Sequence, residues 1–415
     1  MRLSLLGIVF NQASDFVQNG GLILTRGYSM KTNGVLLRAV LGAALACLLG
    51  PGAALAQVRV GVVYSATGPT SLVGIPQKNT VPLLPKTVGD LDVEYIGIDD
   101  ASDSTETVKV VRKLIDEQNV DAIIGPTGSP NAMGAIEFIA EAGVPMLAPV
   151  GTAAVVLPMD GKKKWVFKTT QNTGIIAQVL VDHMVQTGVK TLGFIGFADP
   201  YGDDWLQVTT DLLTDAGIQL VATERYSRQD TAVLGQALKL IGANPDAVLV
   251  AGTGGAAALP QITLRERGYQ GKIYQTHGAA LPAFIKLGGS HVEGTILGGS
   301  LMLVLPEIAD ANPAKQVAQD YIAAYEKLYG EMPATFGANV YDAGLLLQNA
   351  IPEAAGKARP GTPEFRAALR DALEQTHELV GTQGVYNMSA EDHSGFDERG
   401  RELITITDGE FRLLR

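Results

Sequence analysis

Two short turns hold the residues with the most to offer a ligand. Gly125, Thr127, Gly128 and Ser129 share one of them, and Gly151 and Thr152 form the other. Each follows an apolar run that reads as a buried parallel strand, Ala122 to Ile124 and Val144 to Leu147. The first turn opens into a helix near Pro130. The glycines leave room for a small molecule to reach the main chain, and Thr127, Ser129 and Thr152 add hydroxyl donors. A helix N-terminus carries unpaired N–H groups and the positive end of the macrodipole, so two such turns side by side predict a receptor for a carboxylate. Neither turn contains a strong base, a nucleophile or a metal ligand. Their chemistry is holding, not reacting. Small polar residues also serve ordinary turns, so the weight falls on the repetition and on the elements that position it.

The chain has 415 residues, too many for one compact domain and enough for two, each with its own core. Hydrophobic residues make up 46% and charged residues 18%, the balance of a folded α/β protein. Net charge is −11; residues 1–56 hold four Lys or Arg and one Asp, +3, which leaves −14 on the rest. That balance argues against nucleic acid or an anionic membrane surface as partner. A small anion is a different matter, because one local cluster of N–H groups outweighs a distant net charge.

Residues 1–56 read as a cleavable export signal. Lys31 and Arg38 precede the apolar run Ala39 to Leu49, and Ala54-Leu55-Ala56 supplies the small-x-small pattern before Gln57. The apolar run is too short to span a bilayer, so no direct membrane insertion is expected. Met30 stands just ahead of this signal as an alternative start. Cys47 is the only cysteine; Ala44 stands where a lipoprotein signal wants Leu, and Leu48-Leu49 follow where a lipidated end should turn polar. Cleavage after Ala56 leaves a cysteine-free protein for which redox compartment is immaterial.

From Gln57 onward strands and helices alternate. Val58 to Val63 runs into a Gly- and Pro-rich loop, Val93 to Ile98 ends at Asp99-Asp100, and a helix follows with Val108, Val111, Leu114 and Ile115 on one face. Asp99, Asp100 and Asp103 read as cap and dipole partners of that helix in preference to a cation site. After the two turns comes the strand Trp165 to Lys168. A second series then starts, with strands at 191–195, 219–223, 246–251 and 272–275 between helices. Three amphipathic helices fill 313–374, and Asp408-Gly409 joins a terminal hairpin. The pattern predicts an α/β protein of two doubly wound parallel-sheet lobes. A tail that returns to the first lobe makes several crossings, hence a hinge and a cleft.

The succession GVVYSATGPTSLVGIPQKN, DDASDSTETVKVVRKLI, IIGPTGSP, VPMLAPVGTAA, FADPYGDDW and AEDHSGFDERG resembles the leucine/isoleucine/valine-binding class of periplasmic solute-binding proteins, the extracytoplasmic receptors of ABC importers. The likeness runs from about Val58 to the C-terminus. It implies the type I periplasmic-binding fold, with a three-crossing hinge. Residues 57–169 and 301–379 would form lobe 1, and residues 170–300 and 380–415 lobe 2. It also implies that Thr127 to Ser129 and Gly151-Thr152 face a ligand carboxylate, that a membrane permease is the partner, and that the protein is periplasmic and not an enzyme.

The second lobe departs from amino-acid binders of this class. They place an acidic residue against the ligand ammonium after the strand matching Ile273 to Gln275; His277 stands there instead, a better partner for a carboxylate, carbonyl or phenol. Gly252-Thr253-Gly254-Gly255 occupies a stretch where such proteins often carry tyrosines, while Tyr201 remains to cover an apolar tail or a ring. The ligand is thus a small carboxylate, either a branched-chain or hydrophobic amino acid or an aromatic or other organic acid, held by Thr127, Gly128, Ser129, Gly151, Thr152, Tyr201, Thr253 and His277. No cofactor is expected: G-x-G-x-x-G fails at 252–255, the five histidines lie singly, and Ser71, Ser129 and Ser300 lack the G-x-S-x-G setting. An extracytoplasmic sensor of the same fold is the alternative.

Overall fold

The computed structural model describes residues 57–415; the export signal expected over 1–56 lies outside them. Two sheets organise the chain. The first is built from β1 (Val58–Tyr64), helix α1 (Ser71–Thr80), β2 (Thr87–Val88), β3 (Leu91–Asp99), α2 (Ser104–Asp116), β4 (Ala122–Ile124), α3 (Ser129–Ala142), β5 (Met146–Ala148) and β6 (Val166–Lys168). The second uses α4 (Thr173–Gln186), β7 (Thr191–Phe197), α5 (Pro200–Ala216), β8 (Gln219–Tyr226), α6 (Leu234–Ala243), β9 (Ala247–Ala251), α7 (Gly255–Glu266), β10 (Lys272–Gln275), α8 (Pro282–Gly288) and β11 (Ile296–Gly299). The tail adds α9 (Ala314–Tyr329), α10 (Thr335–Lys357), α11 (Pro363–Glu374), the short pair β12 (Leu379–Val380) and β13 (Val385–Tyr386), and the hairpin β14 (Glu402–Thr407) and β15 (Glu410–Leu413).

The first sheet has the order β2-β3-β1-β4-β5-β6 and the second β15-β14-β11-β10-β9-β7-β8. Setting aside the antiparallel edges, each is a five-stranded parallel sheet in which the opening strand lies second from one side. Connections leave β1 and β7 in opposite directions, which opens a crevice at the carboxyl ends of β1 and β4 in one lobe and of β7 and β9 in the other. The strands are apolar on both faces because helices cover both. In the first lobe Val110, Leu114, Ile136 and Ile139 pack on one face, and Leu346, Leu347, Phe365 and Leu369 on the other.

Three segments depart from the sequence reading. The stretch after β1 is not a loop throughout: Ser71–Thr80 is helical despite Pro76, because Val73, Gly74, Gln77 and Thr80 are buried and Gly337 of α10 lies tight against the carbonyl of Pro76. Leu301 to Leu305, with Tyr321 and Tyr325 of α9, share a cluster with Leu297 and Ile404 of the second sheet, although 301–379 was expected in lobe 1. Tyr386, Met388 and Phe396 belong to the first lobe's core, so the last crossing lies beyond Phe396 and not at 379–380. Apolar contacts carry the last two segments past the lobe boundaries that the resemblance implied.

The crossing segments are tied together by buried polar groups. Gln171 Nε2 donates to the Gly400 carbonyl at 2.8 Å and Asn339 Nδ2 to the Thr169 carbonyl at 2.8 Å. Nearby, Asp342 of α10 accepts from the Thr382 N–H at 2.7 Å and from the Tyr386 hydroxyl at 3.0 Å. Burial pushes the Asp342 carboxyl up to about 6. An acid whose folded-state pKa is raised loses stability as pH climbs from its unfolded value through the folded one. Unfolding free energy measured between pH 4 and 7 is therefore expected to fall with a component that Asp342→Asn abolishes; parallel pH profiles for the two proteins would refute this.

Candidate functional site

Every parallel strand of a lobe points its carboxyl end toward the same edge, and the two edges face each other. Between them lies a narrow cavity of about 30 Å³. The first lobe contributes Thr70 and Val73 from beyond β1, Thr127 and Ser129 from beyond β4, Pro149 and Gly151 from beyond β5, Thr170 from beyond β6, and Phe336. The second contributes Tyr201, Arg228, Thr253, His277 and Gly278, which follow β7, β8, β9 and β10. Six of the eight residues singled out from sequence thus meet: Thr127, Ser129, Gly151, Tyr201, Thr253 and His277.

The other two lie elsewhere. Gly128 faces an outer mouth of about 180 Å³ that Thr70 and Arg228 share with the inner cavity. Thr152 is fully buried, and its hydroxyl accepts from the Ala154 N–H at 3.1 Å. A further donor of this second turn is also engaged: the Ala153 N–H donates to Asp204 Oδ2 of α5 at 2.8 Å. The expected pair of anion receptors is therefore reduced, since the protein's own carboxylate sits on one of them.

The first turn remains open. Helix α3 begins at Ser129 with Gly128 as its cap residue, and no side chain caps it; Pro130 has no N–H, so the Ser129 N–H and hydroxyl are what the helix start offers at the cavity. The Thr127 hydroxyl, by contrast, is spent on structure, accepting from the Ser65 N–H at 2.8 Å and donating to Gln77 Oε1 at 2.5 Å. The turn is braced from behind by Asp100, fully buried, which accepts from Ser65 Oγ at 2.6 Å, Thr107 Oγ1 at 2.9 Å and Asn131 Nδ2 at 3.0 Å. Asp103 caps α2 through the Glu106 N–H at 2.8 Å. Gly125 is demanded by backbone: at φ +115° its Cβ would lie 2.1 Å from the Val63 carbonyl oxygen.

On the second lobe Tyr201 is buried, and its hydroxyl pairs with Thr276 Oγ1 at 2.7 Å. Burial raises its phenol far above the ordinary value, leaving a neutral ring as a wall. That ring stands edge-on to His277, with centroids 6.1 Å apart. Both reach the first lobe at Gly151, where a Cβ would lie 2.4 Å from the Tyr201 ring and 3.0 Å from His277 Nε2. His277 is 8% exposed. Its Nδ1 is buried without a partner, and burial, helped by the charge of Lys168, brings its pKa down to about 3. It meets the cavity as a neutral imidazole.

Arg228 escaped the sequence reading. Its Nε donates to Asp199 Oδ2 at 2.6 Å and one Nη to Thr253 Oγ1 at 3.0 Å, and its guanidinium lies 4.2 Å over the Phe197 ring. Asp199 also caps α5 through the Tyr201 N–H at 2.8 Å, so one acid fixes both the helix and the cation. The remaining guanidinium N–H groups are available to the cavity. The missed signal was strand length: β8 runs to Tyr226, three residues past the expected end, and places Arg228 directly at its exit. The cavity lining carries no carboxylate. Among the described residues no group of acids, histidines or cysteines is arranged to hold a metal ion, and no helix is long and apolar enough to cross a membrane.

A family model described as periplasmic binding protein matches residues 57–398. A curated relative, Leu/Ile/Val-binding protein homolog 7 of Brucella suis biovar 1, is 23% identical over 302 residues, 69% of this chain and 75% of its own. A crystal structure of an extracellular ligand-binding receptor from Rhodopseudomonas palustris HaA2 is 42% identical with a TM-score of 0.84, over 86% of this chain and 100% of that one. A branched-chain amino acid transporter substrate-binding protein from Streptococcus pneumoniae, solved with isoleucine, shares the fold at TM-score 0.70 and 18% identity, over 86% of this chain and 99% of that one.

The neutrality of His277 has a direct readout. Imidazole carbon shifts of the ligand-free protein, followed from pH 5 to 8, are expected to stay flat for His277. A titration midpoint near 6.5 would show an imidazole open to water.

Proposed function

From the chain's membership of the periplasmic binding protein family, we propose that it is the solute-binding component of an ABC importer, exported by residues 1–56 and delivering a small organic acid to a membrane permease. The single observation that carries the choice of ligand is the charge of the inner cavity: Arg228 and neutral His277 line it and no carboxylate does, while Asp199 at the outer mouth is already paired with Arg228. An amino acid brings an ammonium group that would be desolvated in the inner cavity with no unpaired carboxylate lining it, at a cost of several kcal/mol. A carboxylate finds the open N-terminus of α3, the Ser129 hydroxyl and the Arg228 guanidinium. Val73, Pro149, Phe336 and the Tyr201 ring set an apolar wall beside those groups, suited to the apolar or aromatic part of such an acid.

Capture works by closure. First-lobe donors receive the acid, and Arg228, Tyr201 and His277 reach it only when the second lobe swings over. Contacts made in one state alone shift the equilibrium toward that state. The isoleucine-bound relative supports a rival choice, a branched-chain amino acid, and the test includes it. Purified residues 57–415 are screened by thermal shift against aromatic and aliphatic carboxylates and against amino acids, because a ligand bound only by the folded state raises the melting temperature. Stabilisation by acids lacking an ammonium group is expected; stabilisation by leucine, isoleucine or valine alone would overturn the choice.

Arg228→Gln is expected to weaken acid binding by roughly 10- to 100-fold, the loss of one charge-assisted hydrogen bond worth about 1.5–3 kcal/mol, as read by calorimetry. An unchanged dissociation constant would place the carboxylate elsewhere. His277→Glu should weaken acids further and admit an ammonium-bearing ligand; unaltered selectivity would show that the side chain does not face the ligand.

A further inference from the structure

Asp204 stands on the first turns of α5, in the second lobe, yet its carboxylate takes a hydrogen bond from the first lobe. Oδ2 accepts from the Ala153 N–H of the first lobe at 2.8 Å and from the hydroxyl of Thr173, the first residue of α4 after the chain has crossed. The Thr173 hydroxyl also lies 3.2 Å from the Gly151 carbonyl oxygen. One carboxylate thus joins a first-lobe turn, a crossing segment and a second-lobe helix. Lys168, fully buried at the end of β6, has its pKa brought down to about 7 by burial, and the nearby Asp204 carboxylate works against that fall. All these donors belong to the chain, and none of them needs a ligand to be in place.

We propose that Asp204 is a positioning residue that latches the lobes together in the ligand-free protein by placing its own carboxylate on the second anion-receiving turn. This rests on the hinge-closure reading above. Hydrogen bonds to an ionised acceptor are stronger than neutral ones, and breaking these on opening exposes a carboxylate and an amide that must find water instead. The latch therefore raises the closed fraction before any ligand arrives. Apparent affinity scales with the fraction of molecules already in the competent state, so the latch strengthens binding without touching the ligand. It also explains why the ligand is left only the first turn.

The mature chain has no cysteine, so Thr105→Cys and Gln229→Cys, exposed on opposite lips of the mouth, accept a pair of spin labels. Distances are measured by pulsed electron–electron resonance on ligand-free residues 57–415, with Asp204 intact, as Asp204→Asn and as Asp204→Ala. The intact protein should populate mainly the short distance, Asp204→Ala mainly a longer one, and Asp204→Asn, which keeps one acceptor oxygen, a mixture. A tenfold or greater fall in the closed-to-open ratio is expected for Asp204→Ala. Superimposable distributions in the three proteins overturn the latch. Should Asp204→Ala fail to fold, Thr173→Val removes one donor at nearly constant volume, and an unshifted distribution there and in Asp204→Asn overturns it equally. No ligand is in the samples, so the outcome is independent of the acid screen: an unshifted distance leaves carboxylate binding standing, and a screen without hits leaves a shifted distance standing.

Discussion

A parallel strand ends in unpaired backbone groups, and a helix that follows it begins with more of them. When all the strands of a sheet run one way, those groups collect along one edge, and a folded chain must satisfy each with water, with its own side chains or with a ligand. This protein sets two such edges face to face. The cleft is accordingly a place where donors exceed acceptors, and its composition is best understood by asking which donors the chain has already used.

Most are used. Thr127 braces Ser65 and Gln77, Thr152 caps its own turn, Thr253 accepts from Arg228, and Asp204 takes the Ala153 amide. What is left is narrow: the start of α3, Ser129, the O–H of Thr253, the outer N–H groups of Arg228, and His277. Such economy has a physical basis. A donor that is free in the open protein is solvated and must shed water to bind, whereas one fixed by a neighbour keeps its geometry at no further entropic cost. Rigid walls built from spent hydroxyls, with a few unspent groups aimed inward, discriminate better than a cleft lined with mobile donors.

How far this was legible before the structure depends on the kind of signal. Strands such as Ala122–Ile124 and Ala247–Ala251 were readable because helices cover both their faces, which makes them continuously apolar, and the residues that follow them were readable as turns for the same reason. His277 and Tyr201 could be placed because each stands within a few residues of such a strand end. Arg228 was not, since β8 is a half-exposed edge strand whose charged pair Glu224-Arg225, just before its end at Tyr226, looks like loop. Nor was Asp204: a single acid one turn into an amphipathic helix is indistinguishable in sequence from any solvated residue, and its role arises from a contact across lobes. The reach of Leu301 to Tyr325 and of Tyr386 to Phe396 was hidden for a related reason, because amphipathic periodicity tells that a face is buried but not against which partner.

The cation and the imidazole divide the work of the second lobe in a way that desolvation explains. A charged group shut into a cleft without a counter-charge is unstable. The permanently charged Arg228 has Asp199 against it and the Phe197 face below it; His277, buried and with Lys168 as its neighbour, gives its charge up. The lobe thereby offers one permanent positive group, already half balanced, and one neutral group able to donate or accept. An ionised carboxylate is drawn to the first without overwhelming attraction, which favours a receptor that must later release its cargo, and the second accommodates whatever polar atom the ligand sets against it. An acid at position 277 would have reversed that arrangement, balancing an ammonium group and repelling the carboxylate beside it.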